Sequence, residues 1–344
     1  MTASGSTLPT SQNATTGSAR SSSVQTRRHN PGRSLRAIGP LISNVIVAGR
    51  DKATPVTTPL ERESHRQHRD PRRPRRAYSA AVLDLDAYLE RIGLAGRPSL
   101  HDVHFAHATS IPFENLDPHR GVPVSLAPED LEQKLIHQRR GGYCFEQNLL
   151  LAHALEALGL KIDLMLARVR LSAPAGHLRP RSHLVLRVHA DGQIWHADVG
   201  FGLGTLLRPI PFGPGIQHDQ SGWQFRVVQD GSELLLRTLY ADGEWRDLYG
   251  FVPDPAPLVD LEVSNWYAST YPRSPFVTGL TVAVHHSDGS RLVIDNWEQP
   301  QLSEQHPTGT KSVAIRRDEV PGLLATRFGL HGFTLGPDER LVMA

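Results

Sequence analysis

The chain has 344 residues, 39% of them hydrophobic, with a net charge of +2 and a single cysteine. The apolar content supports a sizeable core, one cysteine excludes an intramolecular disulfide and a cysteine zinc cluster, and no apolar run approaches the 18 residues of a transmembrane helix. The charge is uneven, because residues 1–77 carry 14 Lys and Arg against 4 Asp and Glu, whereas the remainder carries 23 against 31; we therefore expect a mildly acidic folded part with neither a membrane nor a nucleic-acid partner.

Residues 1–77 are rich in Ser, Thr, Arg and Pro and end in the basic run HRQHRDPRRPRR. Such a segment cannot bury enough apolar surface to offset its ordering entropy, so we expect a disordered basic tail or an upstream start that is not the native one. The lack of acidic residues before Asp51 leaves a targeting peptide as an alternative. Nucleic-acid contact is a weaker alternative, since no aromatic residues interleave with the basic ones.

Residues 78–160 predict a helical domain, with helix starts expected at Asp84, after Ser99 and at Pro128. A further helix is predicted from Cys144, because the apolar residues of FEQNLLLAHALEALGL recur at helical spacing. The two glycines before Cys144 permit a tight turn with backbone angles closed to other residues. The helix dipole and unpaired N–H groups at this start favour a thiolate, so Cys144 is a candidate nucleophile; a small buried thiol is the alternative.

Residues 161–255 predict an antiparallel β domain, a barrel or a sandwich, because short strands are separated by Asp-Gly turns. His183 begins one of these strands and Asp198 ends the next, and a tight Asp-Gly turn at 191–192 joins them. Antiparallel pairing places the two residues side by side, which predicts an Asp198–His183 hydrogen bond. A cysteine nucleophile needs a base and a group that orients the base, so these two residues and Cys144 are a candidate triad. Taken singly, a half-exposed strand histidine and a turn-capping aspartate are the alternatives.

The remaining segments carry weaker signals. The Gly- and Pro-rich stretch 202–222 predicts a surface loop, and residues 256–344 predict a small α/β unit. Three histidines, His101, His104 and His107, share one predicted helix, which suggests a metal site. No clustered cysteine or acidic ligand completes such a site, so we expect helix-surface and packing histidines and no metal.

Four motifs resemble the arylamine N-acetyltransferase family. The string RGGYCFEQN around Cys144 resembles its nucleophile motif, and HFAHATSIPFENLD resembles a second signature. The spacings of 39 residues from Cys144 to His183 and 15 from His183 to Asp198, with the ending DVGFG, resemble its triad region. The stretch 265–276, NWYASTYPRSPF, resembles part of its third domain. The resemblance covers about residues 80–340 and leaves the tail without a counterpart.

The resemblance implies an α+β fold with a helical domain, an antiparallel β-barrel domain and a small α/β lid around a thiol-protease-like Cys-His-Asp core. It makes Cys144 the acetyl acceptor, His183 its base and Asp198 the orienting group. It also places Arg140 and Glu114 in a buried ion pair that supports the glycine turn. The phenylalanines at the matching pocket positions are Phe113 and Phe201, which line the amine site, and Phe276, at its mouth near the coenzyme.

The implied reaction is ping-pong transfer of an acetyl group from acetyl-CoA, through a Cys144 thioester, to an arylamine, hydrazine or arylhydroxylamine. The glycines Gly200, Gly202 and Gly204 could let the coenzyme A pantetheine approach the backbone, with a plain glycine-rich surface loop as the alternative. The single cysteine fits a reducing compartment, so a cytoplasmic enzyme is expected. The sequence leaves open the oligomeric state, including a homo-oligomer.

Three other functions stay open at this stage. An amide synthase that closes a macrolactam would share the triad and use another acyl donor. A cysteine hydrolase or transglutaminase-like enzyme also carries Cys, His and Asp in this chain order. A non-enzymatic binding protein is the weakest reading, because all three triad positions are filled.

Overall fold

The computed structural model describes residues 83–174 and 176–344, so the tail predicted for residues 1–77 lies outside the described residues. The described chain starts with a helical region. Its elements are α1 (Leu85–Arg91), α2 (Leu100–Ser110), the short strand β1 (Phe113–Glu114), α3 (Leu116–His119), α4 (Pro128–Leu131), a π-helical turn (Glu132–His137) and α5 (Cys144–Ala157). The helix starts predicted at Asp84 and Ser99 are confirmed, since each side chain accepts a hydrogen bond from a first-turn backbone N–H.

Eight antiparallel strands follow, in the order β5-β4-β3-β2-β9-β8-β7-β6. They are β2 (Lys161–Val169), β3 (His183–Ala190), β4 (Gln193–Ala197), β5 (Ile210–Pro211), β6 (His218–Gln220), β7 (Trp223–Asp230), β8 (Glu233–Leu239) and β9 (Trp245–Phe251). The Gln220 side chain links the two edges of this sheet, because its Oε1 accepts from the Leu207 N–H at 2.7 Å and its Nε2 donates to the Arg208 carbonyl at 2.8 Å. The sheet is therefore a nearly closed barrel.

The prediction of a surface loop over 202–222 holds for the exposed residues 214–217 and is wrong for much of the rest of the segment. Strands β5 and β6 lie in this segment, Leu206 and Ile210 are buried in the barrel core, and Leu207 is buried in the cluster that contains α1 and α2. The apolar residues of this segment are scattered along the sequence, so they show neither the alternation nor the run length by which a strand is recognised.

The C-terminal part combines helices with a second antiparallel sheet. Its elements are α6 (Leu258–Thr270), α7 (Pro275–Thr278), β10 (Thr281–His285), β11 (Arg291–Asp295), β12 (Gln301–His306), β13 (Gly309–Ala314), a 3₁₀ turn (Arg317–Glu319), α8 (Val320–Phe328), β14 (Phe333–Leu335) and β15 (Leu341–Met343). The sheet order is β1-β10-β11-β12-β13, with Phe113 of β1 opposite Ala283 of β10. The short strand before α3 thus joins the C-terminal sheet and holds the two regions together.

Helix α5 lies between two hydrophobic clusters. Leu150, Leu151 and Leu155 pack with α1 and α2, while Phe145 and Leu149, nearer the N-terminus, pack around Cys144. The start of α5 is therefore fixed by the core on both sides. Within residues 83–174 and 176–344, no helix is long and apolar enough to cross a membrane.

Candidate active site

The turn that precedes Cys144 is fixed by close packing. Neither glycine of the turn has a positive φ, so the expectation of backbone angles closed to other residues is wrong. A Cβ at Gly141 would collide with the Pro112 carbonyl oxygen, and one at Gly142 would lie 2.8 Å from the Glu146 Cβ. The glycines are therefore needed for space, because the main chain here runs against β1 and the first turn of α5.

Cys144 is the first residue of α5 and is 3% exposed. Burial is the main effect on its thiol and raises the pKa well above the usual range, although the backbone N–H of Leu184 opposes the shift. Burial thus outweighs the thiolate-favouring effect expected of a helix start. Burial therefore disfavours the thiolate, and a base is needed to take the proton of the thiol.

The predicted hydrogen bond between the histidine and the aspartate of the β3–β4 hairpin is confirmed. His183 Nε2 lies 2.8 Å from Asp198 Oδ2, and both side chains are buried. Despite burial, which acts to raise it, the pKa of Asp198 is held below its usual range by the charge and hydrogen bond of His183. Because Asp198 occupies Nε2, the ring nitrogen of His183 left for a reaction partner is Nδ1.

The β3–β4 hairpin lies against the start of α5, next to Cys144. Cys144 Sγ lies 3.6 Å from the carbonyl oxygen of Ser182, the residue before His183. From the other side, a Cβ on Gly200 would lie 2.8 Å from Cys144 Cα. Helix α5 therefore touches the chain immediately before His183 and immediately after Asp198, and the three candidate triad residues converge.

Asn148 joins these elements through three hydrogen bonds. Its Nδ2 donates to the Leu184 carbonyl at 2.7 Å and to Asp198 Oδ1 at 2.8 Å, and its Oδ1 accepts from the Val199 N–H at 3.0 Å. Sequence reasoning assigned Asn148 no role. A signal was present, because Asn148 lies four residues after Cys144 and so on the same face of the helix.

Tyr249 of β9 lies against the candidate base, with its ring centroid 4.7 Å from that of His183. Burial, together with the nearby charge of Asp198, raises the pKa of Tyr249 well above its usual value. The Tyr249 hydroxyl lies 2.7 Å from His196 Nε2. Nothing in the local sequence pointed to Tyr249, because β9 meets this corner only through the pairing order of the barrel.

A buried cluster of charges supports the other side of the glycine turn. The predicted Arg140–Glu114 ion pair is present at 2.6 Å, and Arg140 also binds Asp117 at 2.9 Å. Lys134 lies 2.7 Å from both Asp117 and Glu146. Glu146 in turn accepts a hydrogen bond from the Tyr143 N–H at 3.0 Å, next to the nucleophile. We call Glu114, Asp117, Arg120, Lys134, Arg140 and Glu146 the ion cluster; its three carboxylates face three cations.

The three predicted pocket phenylalanines lie around this site. Phe113 and Phe276 have ring centroids 6.3 Å apart and pack in the cluster that contains Cys144. Phe201 contacts the His183 ring edge-on, with centroids 5.2 Å apart. Phe113 is buried, whereas Phe201 and Phe276 are half-buried. These three phenylalanines, which we call the aromatic border, thus flank both the candidate nucleophile and the candidate base.

The loop after Asp198 is glycine-rich for reasons of packing. A Cβ on Gly202 would lie 3.1 Å from the Phe113 ring, and one on Gly204 would lie 2.9 Å from Leu248. Leu203, between them, borders a cavity of about 100 Å³ that is also lined by residues of β7, of the loop after β8 and of the β12–β13 hairpin. The glycines therefore let the loop pack tightly against protein while Leu203 faces this cavity.

The three histidines of α2 have separate surroundings. His104 and His107 are buried, with hydrogen bonds to the Asp198 N–H and to Gln147, whereas His101 packs against Trp195. In the part of the chain that the structure describes, no group of three or more His, Cys, Asp or Glu residues is arranged to hold a metal ion.

Comparison with known proteins gives concordant matches. A family model described as N-acetyltransferase matches residues 98–332. The arylamine N-acetyltransferase of Mycolicibacterium smegmatis is 46% identical over 217 residues, which cover 60% of this chain and 78% of that protein. The arylamine N-acetyltransferase of Mycobacterium bovis is 37% identical over 265 residues, covering 74% and 92%.

Among solved structures, the chain is similar to that of the Mycobacterium marinum arylamine N-acetyltransferase in complex with CoA. The TM-score is 0.68 at 36% sequence identity, and the match covers 72% of this chain and 93% of that one. The likeness therefore includes nearly the whole of the solved protein.

Proposed function

The chain belongs to the arylamine N-acetyltransferase family, and on that premise we propose that Cys144, His183 and Asp198 carry out its acetyl transfer. The α+β fold with its barrel agrees with this membership. The enzyme transfers an acetyl group from acetyl-CoA to an arylamine, hydrazine or arylhydroxylamine by a ping-pong reaction. The observation that carries the residue assignment is the convergence of the Asp198–His183 pair with the buried start of α5.

In the first half-reaction, the Cys144 sulfur attacks the thioester carbonyl of acetyl-CoA while Nδ1 of His183 takes the thiol proton. Asp198, bound to Nε2, stabilises the imidazolium that forms. The tetrahedral intermediate expels the coenzyme A thiolate, which receives this proton and leaves as the free thiol. The backbone N–H of Cys144, in the first turn of α5, is the donor proposed for the oxyanion.

In the second half-reaction, the acceptor nitrogen or hydroxylamine oxygen attacks the acetyl-Cys144 carbonyl. His183 takes the proton of the attacking group and returns it to the departing Cys144 sulfur, which restores the resting thiol. An aromatic amine suits this step because it is neutral and nucleophilic at pH 7, whereas an aliphatic amine is mostly protonated. The buried Asp198 carboxylate is used in both halves without changing its own protonation.

The aromatic border is proposed as the acceptor site. Phe113 and Phe276 lie beside Cys144, and Phe201 lies on His183, so a flat aromatic acceptor can stack next to the thioester. Coenzyme A is proposed to approach along the loop that contains Gly200, Gly202 and Gly204. The support for this route is the cavity of about 100 Å³ beside Leu203 in the same loop.

The organisation of the chain is proposed as well. We propose a helical domain over 78–160, a barrel over 161–255 and a lid over 256–344. The first boundary follows the end of α5 at Ala157, and the second lies between the end of β9 and the start of α6. We further propose a cytoplasmic enzyme that acts on small molecules, with no nucleic-acid or membrane partner. Size-exclusion chromatography with light scattering decides whether the protein is a monomer or a homo-oligomer.

Intact-mass analysis tests the assignment directly, because the chain has one cysteine and a thiol adduct can form only there. Mixing with acetyl-CoA alone is expected to add one acetyl group, which an aromatic amine or hydrazine then removes as its acetylated product. The matched control, Cys144→Ala, is expected to stay unmodified and inactive with its fold retained. Acetylation or turnover by Cys144→Ala would overturn the proposal, and release of free acetate without an amine would favour a hydrolase.

A further inference from the structure

Asn115, directly before α3, is a buried residue that the proposed reaction does not use. It stands at the N-cap position of α3, where an asparagine side chain ordinarily accepts a hydrogen bond from a first-turn N–H. Here Glu114 takes that place, because its Oε2 accepts from the Leu116 N–H at 2.7 Å. Asn115 is completely buried, so its side-chain amide needs partners elsewhere in the core.

The partners of this amide lie in the segment that contains Phe276. Asn115 Nδ2 donates to the carbonyls of Phe276 and Gly279, each at 2.8 Å. Its Oδ1 accepts from the Thr281 N–H at 2.7 Å, and the Asn115 backbone N–H donates to the Thr281 carbonyl at 3.3 Å. A single residue thus uses both amide hydrogens, the amide oxygen and its own backbone N–H on the short stretch 276–281.

This stretch includes most of α7, a helix that cannot hold its own place. It has four residues, all exposed or half-buried, and is far shorter than a helix that is stable by itself. At its start, the Ser274 hydroxyl accepts from the Phe276 N–H at 3.2 Å and donates to the Ala268 carbonyl at 2.5 Å. The carbonyls at its end are those that Asn115 binds, and a helix end leaves such groups without intrahelical partners. Ser274 and Asn115 therefore fix α7 from opposite ends.

The place of α7 decides where the Phe276 ring lies. That ring contacts Tyr143, the residue before the nucleophile, with centroids 5.2 Å apart and planes at 81°. Its centroid lies 6.3 Å from that of Phe113. Because the ring is half-buried and its helix is short, these contacts depend on the hydrogen bonds that hold α7.

We propose that Asn115 is a positioning residue that holds α7 in place and so fixes Phe276 as the wall of the acceptor site that favours aromatic acceptors. The inference rests on the acceptor site proposed above, because Phe276 is assigned to it there. Asn115 acts on the acceptor through α7 and the Phe276 ring. Loss of its amide should therefore reduce the preference for acceptors that carry a ring, and should not slow every acetyl transfer alike.

The hold on α7 can be measured without any activity assay. Asn115→Leu, whose side chain is similar in shape, should speed hydrogen exchange of the backbone N–H groups in 275–281 and leave the barrel strands β7 and β8 unchanged, as followed by mass spectrometry. Asn115→Asp is a milder second variant, because it keeps an oxygen for the Thr281 N–H and lacks the Nδ2 donor. Unchanged exchange of 275–281 in both variants would overturn the inference, whatever the acceptor site proves to be.

The effect on function is read in the second half-reaction. Enzyme acetylated on Cys144 is mixed with aniline, which carries a ring, or with hydrazine, which carries none. Asn115→Leu should lower kcat/KM for aniline about three- to tenfold, the range that one aromatic contact contributes. The value for hydrazine and the rate of acetylation by acetyl-CoA should stay within about twofold of the wild type. In the Phe276→Ala background, Asn115→Leu should cause no further loss of the preference for aniline.

A second buried amide supplies the control. Gln220 accepts from the N–H groups of Leu207 and Arg208 and donates to the Arg208 carbonyl, so Gln220→Leu also breaks three hydrogen bonds to backbone groups, but in the barrel. It should lower stability and leave the preference for aniline over hydrazine unchanged. If Asn115→Leu also leaves that preference unchanged, or slows both acceptors equally, Asn115 does not select the acceptor. An unchanged preference in Phe276→Ala would instead count against the acceptor site itself, and failure of wild-type Cys144 to be acetylated would count against the triad.

Discussion

Two buried polar networks meet at Cys144, and they compensate their buried carboxylates in different ways. The ion cluster, on the side of the glycine turn, balances three carboxylates with three cations, and all six members lie in one stretch of 33 residues, from Glu114 to Glu146. On the other side, one carboxylate, Asp198, is held by the Asn148 amide, the Gly200 N–H and one titratable partner, His183. We call this second network the Asp198 corner.

The difference separates stability from catalysis. A charge that is fully paired by other charges is locked, so the ion cluster serves to fix the backbone that presents Cys144. A charge surrounded by neutral donors and one histidine can respond when that histidine gains a proton. We therefore expect changes in the Asp198 corner to act mainly on the rate, and changes in the ion cluster to act mainly on the free energy of unfolding.

The largest effect is expected from Asp198→Asn. The amide keeps the shape of the side chain but cannot stabilise the imidazolium of His183, so acetylation of Cys144 should slow on the order of 10³–10⁴-fold. Single-turnover mass spectrometry with acetyl-CoA measures this rate. Asp163→Asn is the matched control, because Asp163 forms a half-exposed pair with His189 at 3.0 Å in the same barrel and should leave the rate unchanged. A rate for Asp198→Asn within tenfold of the wild type would contradict the assignment of Asp198.

The next effect is on stability. Arg140→Met removes a cation from the ion cluster and leaves Glu114 buried without its closest partner, which should lower the free energy of unfolding by about 3–5 kcal/mol. Urea denaturation at pH 7 measures the loss, and adding Glu114→Gln should recover part of it. Arg316→Met is the control, because its ion pair with Asp318 is exposed and no measurable change is expected. A loss no larger than that of this control would mean that the ion cluster does not hold the turn.

These two networks were predictable from sequence to different degrees. The Asp198–His183 hydrogen bond follows from counting residues on either side of one tight turn, which is local information. Tyr249 and Lys134 were missed because their contacts depend on how the barrel strands pair and on a π-helical turn, which no local pattern specifies. The β12–β13 hairpin escaped prediction for another reason: its exposed, polar strands lack the apolar alternation by which strands are recognised.

The contributions of the two networks to the free energy of unfolding should also change in opposite directions as the pH falls. Burial lowers the pKa of His104, whose Nε2 accepts from the Asp198 N–H, to about 3, so the folded state binds its proton less well than the unfolded state. The stability that neutral His104 contributes is complete above pH 6.5 and is lost as the pH falls towards 3, by about 1 kcal/mol per pH unit. For Glu146, burial raises the pKa to about 7, so this residue adds stability as the pH falls from 7 to 4.5.

Urea denaturation at pH 6.5 and pH 5.5 measures both contributions. The His104→Asn variant should lose less stability between these pH values than the wild type, whereas Glu146→Gln should lose more, because the compensating proton uptake is gone. Equal slopes for the two variants would show that acid does not distinguish the Asp198 corner from the ion cluster.

A further effect is expected where the loop after Asp198 packs against the start of α5. A methyl group on Gly200 would lie 2.8 Å from Cys144 Cα and from Asn148 Nδ2, and neither the helix backbone nor the clamped amide can move freely. Gly200→Ala should therefore cost about 1–3 kcal/mol of stability and slow acetylation by moving the Asp198 corner away from the thiol. Gly322→Ala is the control, since that glycine lies in α8 with open space around it and should gain about 0.5–1 kcal/mol. If Gly200→Ala matched the wild type in both measurements, the close approach of the DVGFG loop to α5 would not be what sets the triad geometry.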